Sequence, residues 1–159
     1  MTPGKITLRF LSEPGDVNYG GMVHGGAVMK WIDQAGYSCA SAWCEHYCVT
    51  VYVGGIRFIK PILIGDMVRI DAQLIHTGNT SMHIAIDVWS KKVTANTYEK
   101  KTHCIIVFVA LDAHGKKTKV PKWSPTTNAQ EMMQSYAIKL MNLRKEIEDE
   151  MMPYFDSGK

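Results

Sequence analysis

No run of apolar residues in this chain approaches the ~18–20 needed to cross a bilayer. The opening stretch, MTPGKITLRFLSEPG, lacks the apolar core of a secretory signal. A cytoplasmic location is therefore expected. No Gly-x-Gly-x-x-Gly, P-loop or Gly-x-Ser-x-Gly is present, so the sequence offers no signature of dinucleotide binding, nucleoside-triphosphate chemistry or a serine nucleophile elbow. Cysteine is sparse: Cys39, Cys44, Cys48 and Cys104 are the only four. Cys44 and Cys48 bracket His46, but the second ligand pair that a zinc site requires is missing, so reduced structural thiols are expected and no metal. Excess charge is small as well. A net charge of +3 does not point to nucleic acid; it suits an anionic small ligand without requiring one.

What is present describes one ordinary domain. The chain has 159 residues, 46% hydrophobic and 21% charged, enough to bury a sizeable core. No internal repeat interrupts it. Methionine is plentiful at ten residues, scattered where it fills core space rather than grouped as a site.

Lys5 to Leu11 alternate and predict a first strand, broken at Ser12-Glu13-Pro14-Gly15-Asp16. After Gly20, Gly21, Gly25 and Gly26, apolar positions at Val28, Trp31, Ile32, Ala35, Cys39 and Ala42 follow helical spacing and predict a helix over about 26–43. Its low charge predicts burial nearly all round. Cys48 to Val53 read as a strand with a bulge at Gly54-Gly55. Leu63-Ile64-Gly65-Asp66 reads as a turn. Two alternating strands follow, around Val68–Leu74 and Met82–Val88, closed by His76-Thr77-Gly78-Asn79-Thr80. Lys91 to Lys101 reads as a polar connection, and His103 to Leu111 as a strand covered on both faces. A terminal helix is predicted from about Asn128 to Met151. Its seam Met133, Tyr136, Leu140, Leu143 and Ile147 fits its own sheet and a neighbouring subunit equally well. One antiparallel sheet wrapped around one helix accounts for this order, with one sheet face still needing cover.

The chemistry-bearing block is Asn18 to Asp33. Gly25 and Gly26 stand where the chain enters the helix, and a helix start carries unpaired N–H groups and partial positive charge. Glycine lets a ligand approach that backbone, and such donors stabilise a developing oxyanion. Asp33 lies about two turns further on, where burial would make it a usable base. A bland reading stays open beside this one: a plain helix start, with Asp33 paired to Lys30.

The run N-Y-G-G-M-V-H-G-G-A-V-M-K-W-I-D-Q-A-G resembles the acyl-CoA thioester hydrolase family of the YciA and brain-type cytosolic enzymes. The likeness continues through Val49-Thr50-Val51, Arg57-Phe58-Ile59-Lys60-Pro61-Ile62, Ile64-Gly65-Asp66, His76 to Met82, Asp87-Val88-Trp89, Asp112 to Lys116 and Val120-Pro121. It spans roughly residues 5–122 and implies an α+β hotdog fold: a five-stranded antiparallel sheet wrapped around a long central helix. Residues 1–125 would then form the thioesterase domain and 126–159 a C-terminal helical extension.

The resemblance also implies an activity, hydrolysis of fatty acyl-CoA to free acid and coenzyme A, in a homo-oligomer whose sites lie between paired protomers, often as a trimer of dimers. It assigns Asp33 as general base or nucleophile, Asn18 from the partner protomer, a Gly25/Gly26 backbone oxyanion hole, and His24 in a lesser role shaping the loop. Arg57, Lys60, Thr80 and Ser81 would contact the coenzyme A part of the substrate. No cofactor is implied, since coenzyme A enters only as substrate and product. One departure concerns Gly54, where related enzymes often carry an acidic residue; it bears on pantetheine and acyl contacts. Two alternatives are a non-catalytic acyl-CoA sensor and a hotdog hydratase. The sensor would be expected to carry a DNA-binding extension, for which a first strand near residue 5 leaves no room. The hydratase would need a different Asp/His arrangement, which the sequence does not offer.

Overall fold

A computed structural model describes residues 3–156, with the side chain of Asp156 and the last three residues of the 126–159 extension outside that description. The order is β1 (Lys5–Leu11), a 3-10 turn (Pro14–Asp16), α1 (Gly25–Cys44), β2 (Tyr47–Phe58), β3 (Met67–Thr77), β4 (Ser81–Lys91), β5 (Glu99–Leu111) and α2 (Asn128–Asp156). The five strands form one antiparallel sheet in the order β1-β3-β4-β5-β2, so β1 and β2 are its edges. This is the hotdog arrangement: α1 lies along the concave face and α2 along the convex face.

The apolar stripe of α1 holds the core together. Val28, Trp31, Ile32, Ala35 and Cys39 are buried against Val68, Ile70, Ile84, Ile86, Ile106 and Phe108. Phe10 meets Trp31 edge-on at 4.9 Å, tying β1 to the helix. Gly36 sets how closely the helix approaches. A Cβ there would lie 2.7 Å from the Phe108 ring and 3.0 Å from Ile106. Phe108 and Ile106 are themselves fully buried and have nowhere to retreat.

Four expectations are corrected. First, α1 is not buried all round: Lys30, Asp33, Gln34 and Ala42 are exposed, because the sheet of a single chain covers only one side of the helix. Second, β5 starts at Glu99 rather than His103. Its polar start is paired: Lys101 reaches Glu99 at 3.1 Å, Lys100 reaches Asp87 at 3.1 Å, and Lys100 lies over the Trp89 ring. Third, α2 runs through Pro153 to Asp156, since a proline in the last turn forfeits only one helix bond. Fourth, the α2 seam divides. Met133, Tyr136 and Leu140 pack on Ile75, Ala85 and Ile105, while Leu143 and Ile147 are each 52% exposed.

The bulge expected at Gly54-Gly55 is present, as a register shift between Gly54 and Arg57. Gly54 is covered by the Tyr52 ring, which any Cβ would displace, and Arg144 of α2 lies over that ring at 5.0 Å. Glycine at this position thus leaves room for the Tyr52 ring.

Beneath α2 the convex face carries three histidines. His76 accepts or donates to Gln134 at 3.3 Å, His103 bridges Asp87 at 2.8 Å and the Tyr136 hydroxyl at 3.1 Å, and His83 is buried with its ring 5.1 Å from that of His76. Burial, then His76 and Arg144, push His83 down from 6.5 to about 4, and burial lowers His76. Burial alone would raise the Asp87 carboxyl, but the hydrogen bonds from His103 and Lys100 outweigh it and hold it below its ordinary value.

Two outcomes follow. Gly36→Ala forces α1 off Phe108 and is expected to destabilise the protein by about 1–3 kcal/mol, read as a lowered Tm; an unchanged Tm would show that the contact is not tight. Acid should loosen α2. Released His83 takes its proton near 6.5 and docked His83 only near 4, so the undocked state binds more protons throughout that window. Hydrogen exchange over residues 133–144, corrected for intrinsic rates, should therefore accelerate as pH falls from 6.5 toward 4; protection independent of pH would contradict this.

Candidate functional site

The loop 17–24 brings the chain into α1 and is held at both ends. Val17 and Val23 bridge, Val23 donates to the Ile62 carbonyl at 2.9 Å, and His24 donates to the Asp16 carbonyl at 2.8 Å. Within it Asn18 folds a turn on itself: its Oδ1 accepts from Gly20 N at 2.9 Å and Met22 N at 3.2 Å. The side-chain NH2 of Asn18 is left without a partner among the described residues.

His24 is the N-cap of α1, but its side chain makes no capping bond; its carbonyl accepts from Val28 N at 3.1 Å. The Gly25, Gly26 and Ala27 amides consequently have no hydrogen-bond partner among the described residues. Three free N–H groups at the start of a 20-residue helix form an anion-seeking surface. The first of these residues, Gly25, lines an open groove of about 330 Å³ walled also by Asn18, Val28, Phe58, Ile62 and Lys101. The Phe58 ring lies 3.4 Å from where a Gly25 Cβ would stand, so the ring packs directly against the helix start.

Asp66 fixes the turn that follows Ile62. It is buried, its Oδ2 accepts from Leu63 N at 3.0 Å, and the Ser12 hydroxyl donates to the Leu63 carbonyl at 2.7 Å. Gly65 completes that turn at φ 81°.

Asp33 is elsewhere. It is exposed, makes no ion pair with Lys30 among the described residues, and accepts from the Thr50 hydroxyl at 2.5 Å. Seven residues of helix separate it from Gly26, about 10 Å along the axis at ~1.5 Å per residue. Asn18, Gly25 and Gly26 thus form one half of the predicted set, and Asp33 the other. Thr50, a residue type with no chemical signature of its own, was not among the expected site residues. Only its place in Val49-Thr50-Val51 offered a signal.

The expected coenzyme A contacts also divide. Lys60 lines the groove. Arg57 is exposed on β2, its carbonyl taken by the Thr102 hydroxyl. Thr80 and Ser81 sit on the β3–β4 hairpin. Ser81 pairs with Val109 and Arg57 with His103, so the two groups lie about 20 Å apart along β5 at ~3.4 Å per residue.

The cysteines take no part in either half. Cys44 and Cys48 face each other with sulfurs 3.4 Å apart, and burial, then Cys44, pushes the Cys48 thiol up to about 12.

Comparison with known proteins agrees with this architecture. Residues 20–95 match the model of the thioesterase superfamily. The chain is 41% identical over 122 residues to an uncharacterized acyl-CoA thioester hydrolase of Buchnera aphidicola, covering 74% of this chain and 90% of that protein. A hexameric thioesterase from Yersinia pestis superposes with a TM-score of 0.69 at 37% identity, covering 73% and 94%. An acyl-CoA hydrolase from Bacillus cereus, at 22% identity, shares the fold across 99% of this chain and 96% of its own, with a TM-score of 0.91. By fold, by the free helix start facing its groove and by these identities, the chain belongs to the hotdog-fold acyl-CoA thioester hydrolase family, a family of enzymes.

Proposed function

We propose that the protein hydrolyses acyl-CoA to a free carboxylic acid and coenzyme A at sites built between two copies of the chain. The observation that carries this reading is the division of the site: free amides and Asn18 on one groove, and a carboxylate held by Thr50 two helical turns away. A reacting carbonyl must lie about 3 Å from both its oxyanion donors and its attacking group. One chain cannot satisfy both. A second copy with α1 antiparallel to the first brings the partner's carboxylate to the groove, and a two-fold axis makes two such sites. The β2 edge supports such pairing. It is twelve residues long, pairs among the described residues with β5 alone, and exposes Tyr47, Val51 and Phe58. The hexameric Yersinia pestis relative supports association as well.

The chemistry is ordinary acyl transfer to water. The thioester carbonyl oxygen takes the Gly25 and Gly26 amides, whose dipoles favour negative charge without reorganisation. Asp33 of the other copy removes a proton from water as its oxygen attacks the carbonyl carbon. Collapse of the tetrahedral oxyanion breaks the C–S bond, and the departing thiolate takes the proton. Thr50 occupies Oδ1 of Asp33 and so turns the other oxygen to the water. The free NH2 of Asn18 holds the water or the carbonyl. His24 closes the loop through its backbone.

Free-thiol release from a panel of acyl-CoAs, acetyl to palmitoyl, tests this reading. Wild type should release thiol. Asp33→Ala should lower kcat by about 10²–10⁴, Asn18→Ala by about 10², and Thr50→Val by about tenfold, each with an unchanged Tm. Acyl-CoA binding without release across the panel would favour the sensor instead. Full activity in Asp33→Ala would refute the assigned base.

A further inference from the structure

The body of α2 lies on the convex face, but its last turns pass beyond the sheet. Gln134 meets His76 on β3, Tyr136 meets His103 on β5, and Arg144 lies over the Tyr52 ring on β2. In the order β3-β4-β5-β2, β3 and β2 stand about 14 Å apart at ~4.8 Å per strand. Gln134 and Arg144 stand about 15 Å apart along the helix at ~1.5 Å per residue. The helix therefore crosses the strands nearly squarely and reaches the β2 edge at Arg144. Beyond it every residue from 145 to 155 is exposed, about 16 Å of helix overhanging the edge. So short a helix is marginal in water without something to pack on.

The overhang is not uniformly polar. Leu143 and Ile147, each 52% exposed, share one flank of the helix at i,i+4 spacing. Lys139, four residues before Leu143, and Glu150, seven after it, rim the same flank. Glu148 is drawn back to Arg144 at 3.5 Å. The inner face that Ala137 buries recurs past the edge as Met151, with Phe155 one turn on; both are exposed.

Resting on the pairing of copies proposed above, we infer that α2 docks antiparallel against α2 of the second copy, flank to flank across the two-fold axis. An antiparallel pair centred near Lys145 sets Leu143 of each helix against Ile147 of the other, and Lys139 of each against Glu150 of the other. That is a self-complementary patch, apolar at its centre and closed by opposite charges at its ends. A parallel pair would set Lys139 against Lys139. The centre of the patch falls where the helix leaves the β2 edge, so one axis serves both the strand edges and the helices. Met151 and Phe155 then continue over the second copy's sheet. The carboxylates of Glu146, Glu148, Asp149 and Glu150 disfavour an anionic lipid surface as the occupant.

Sedimentation of the full chain over a dilution series tests this. Ile147→Asp should raise the concentration at which paired copies separate by about tenfold or more, and Ile147→Leu should leave it near wild type. Glu150→Lys and Lys139→Glu should each weaken pairing by about threefold to tenfold, while their equimolar mixture, in which both charge pairs are re-formed, should pair as tightly as wild type. All three positions are exposed, so the fold should survive, as unchanged circular dichroism would verify. Wild-type pairing in Ile147→Asp, or a mixture no tighter than its components, would overturn the docking. So would wild-type pairing in Ile147→Asp with lost adsorption to phosphatidylcholine vesicles, which would give the overhang to a lipid surface. The shared-site reading fails separately: copies whose pairing responds to these substitutions, but whose Asn18→Ala and Asp33→Ala forms regain no activity on coexpression, leave the docking standing. A wild type that sediments as single chains at every concentration overturns both.

Discussion

The contact of Gly36 with Phe108 governs this molecule. It lets α1 settle into the concave face of the sheet at backbone distance, and everything the site needs is measured from that helix. At its first turn the helix carries three unpaired amides, with Gly25 on the groove. Two turns on, it presents Asp33 to Thr50 on β2. Raise or tilt the helix and both ends go wrong together, because a helix is stiff and interiors are packed without slack. A glycine in a helix interior costs stability on its own. Here it is retained for close approach.

The same rigidity explains why each half of the site is incomplete. About 10 Å of helix between Gly26 and Asp33 cannot be shortened by any loop motion. The unfinished state is repeated elsewhere in the chain: the outer side of α1 is open to solvent, and the long β2 edge leaves the apolar side chains Tyr47, Val51 and Phe58 exposed. In the proposed dimer, one two-fold operation would complete the sheet edge, cover the helix and unite the two halves of the chemistry. α2 serves a different purpose. It covers the convex face with a small apolar cluster and a set of histidine-centred polar contacts, and through Arg144 it reaches Tyr52 on the edge strand itself.

Much of the fold was legible because periodicity tracks burial. The alternation of Val68, Ile70, Ala72 and Leu74 and the helical spacing from Val28 to Ala42 each marked an element that exists. Where reading by hydrophobicity faltered, charge pairing or missing cover was the reason. Glu99-Lys100-Lys101 looked like a connection, yet these residues extend β5 through ion pairs and the Trp89 ring. Asp33 sat in a helix of low charge that promised burial, but the sheet of one chain covers only one side of that helix and leaves Asp33 exposed. The contact of Gly54 with the Tyr52 ring is likewise visible only in the structure. At the site, the glycines and the aspartate drew attention through their chemistry, whereas Thr50 is visible only once β2 is laid beside α1. The separation of Thr80 and Ser81 from Arg57 is likewise a matter of register, which sequence spacing does not convey.

The central claim is that Asp33 acts on the groove of the other chain. Coexpression of two inactive variants measures it most directly. A dimer pairing Asn18→Ala with Asp33→Ala holds one site with both lesions and one with neither. Random pairing should therefore restore about a quarter of wild-type thiol release, since half the dimers are mixed and each has one intact site of two. If both residues served one site within a single chain, every site would carry a lesion. The coexpressed protein would then be as inactive as either variant alone.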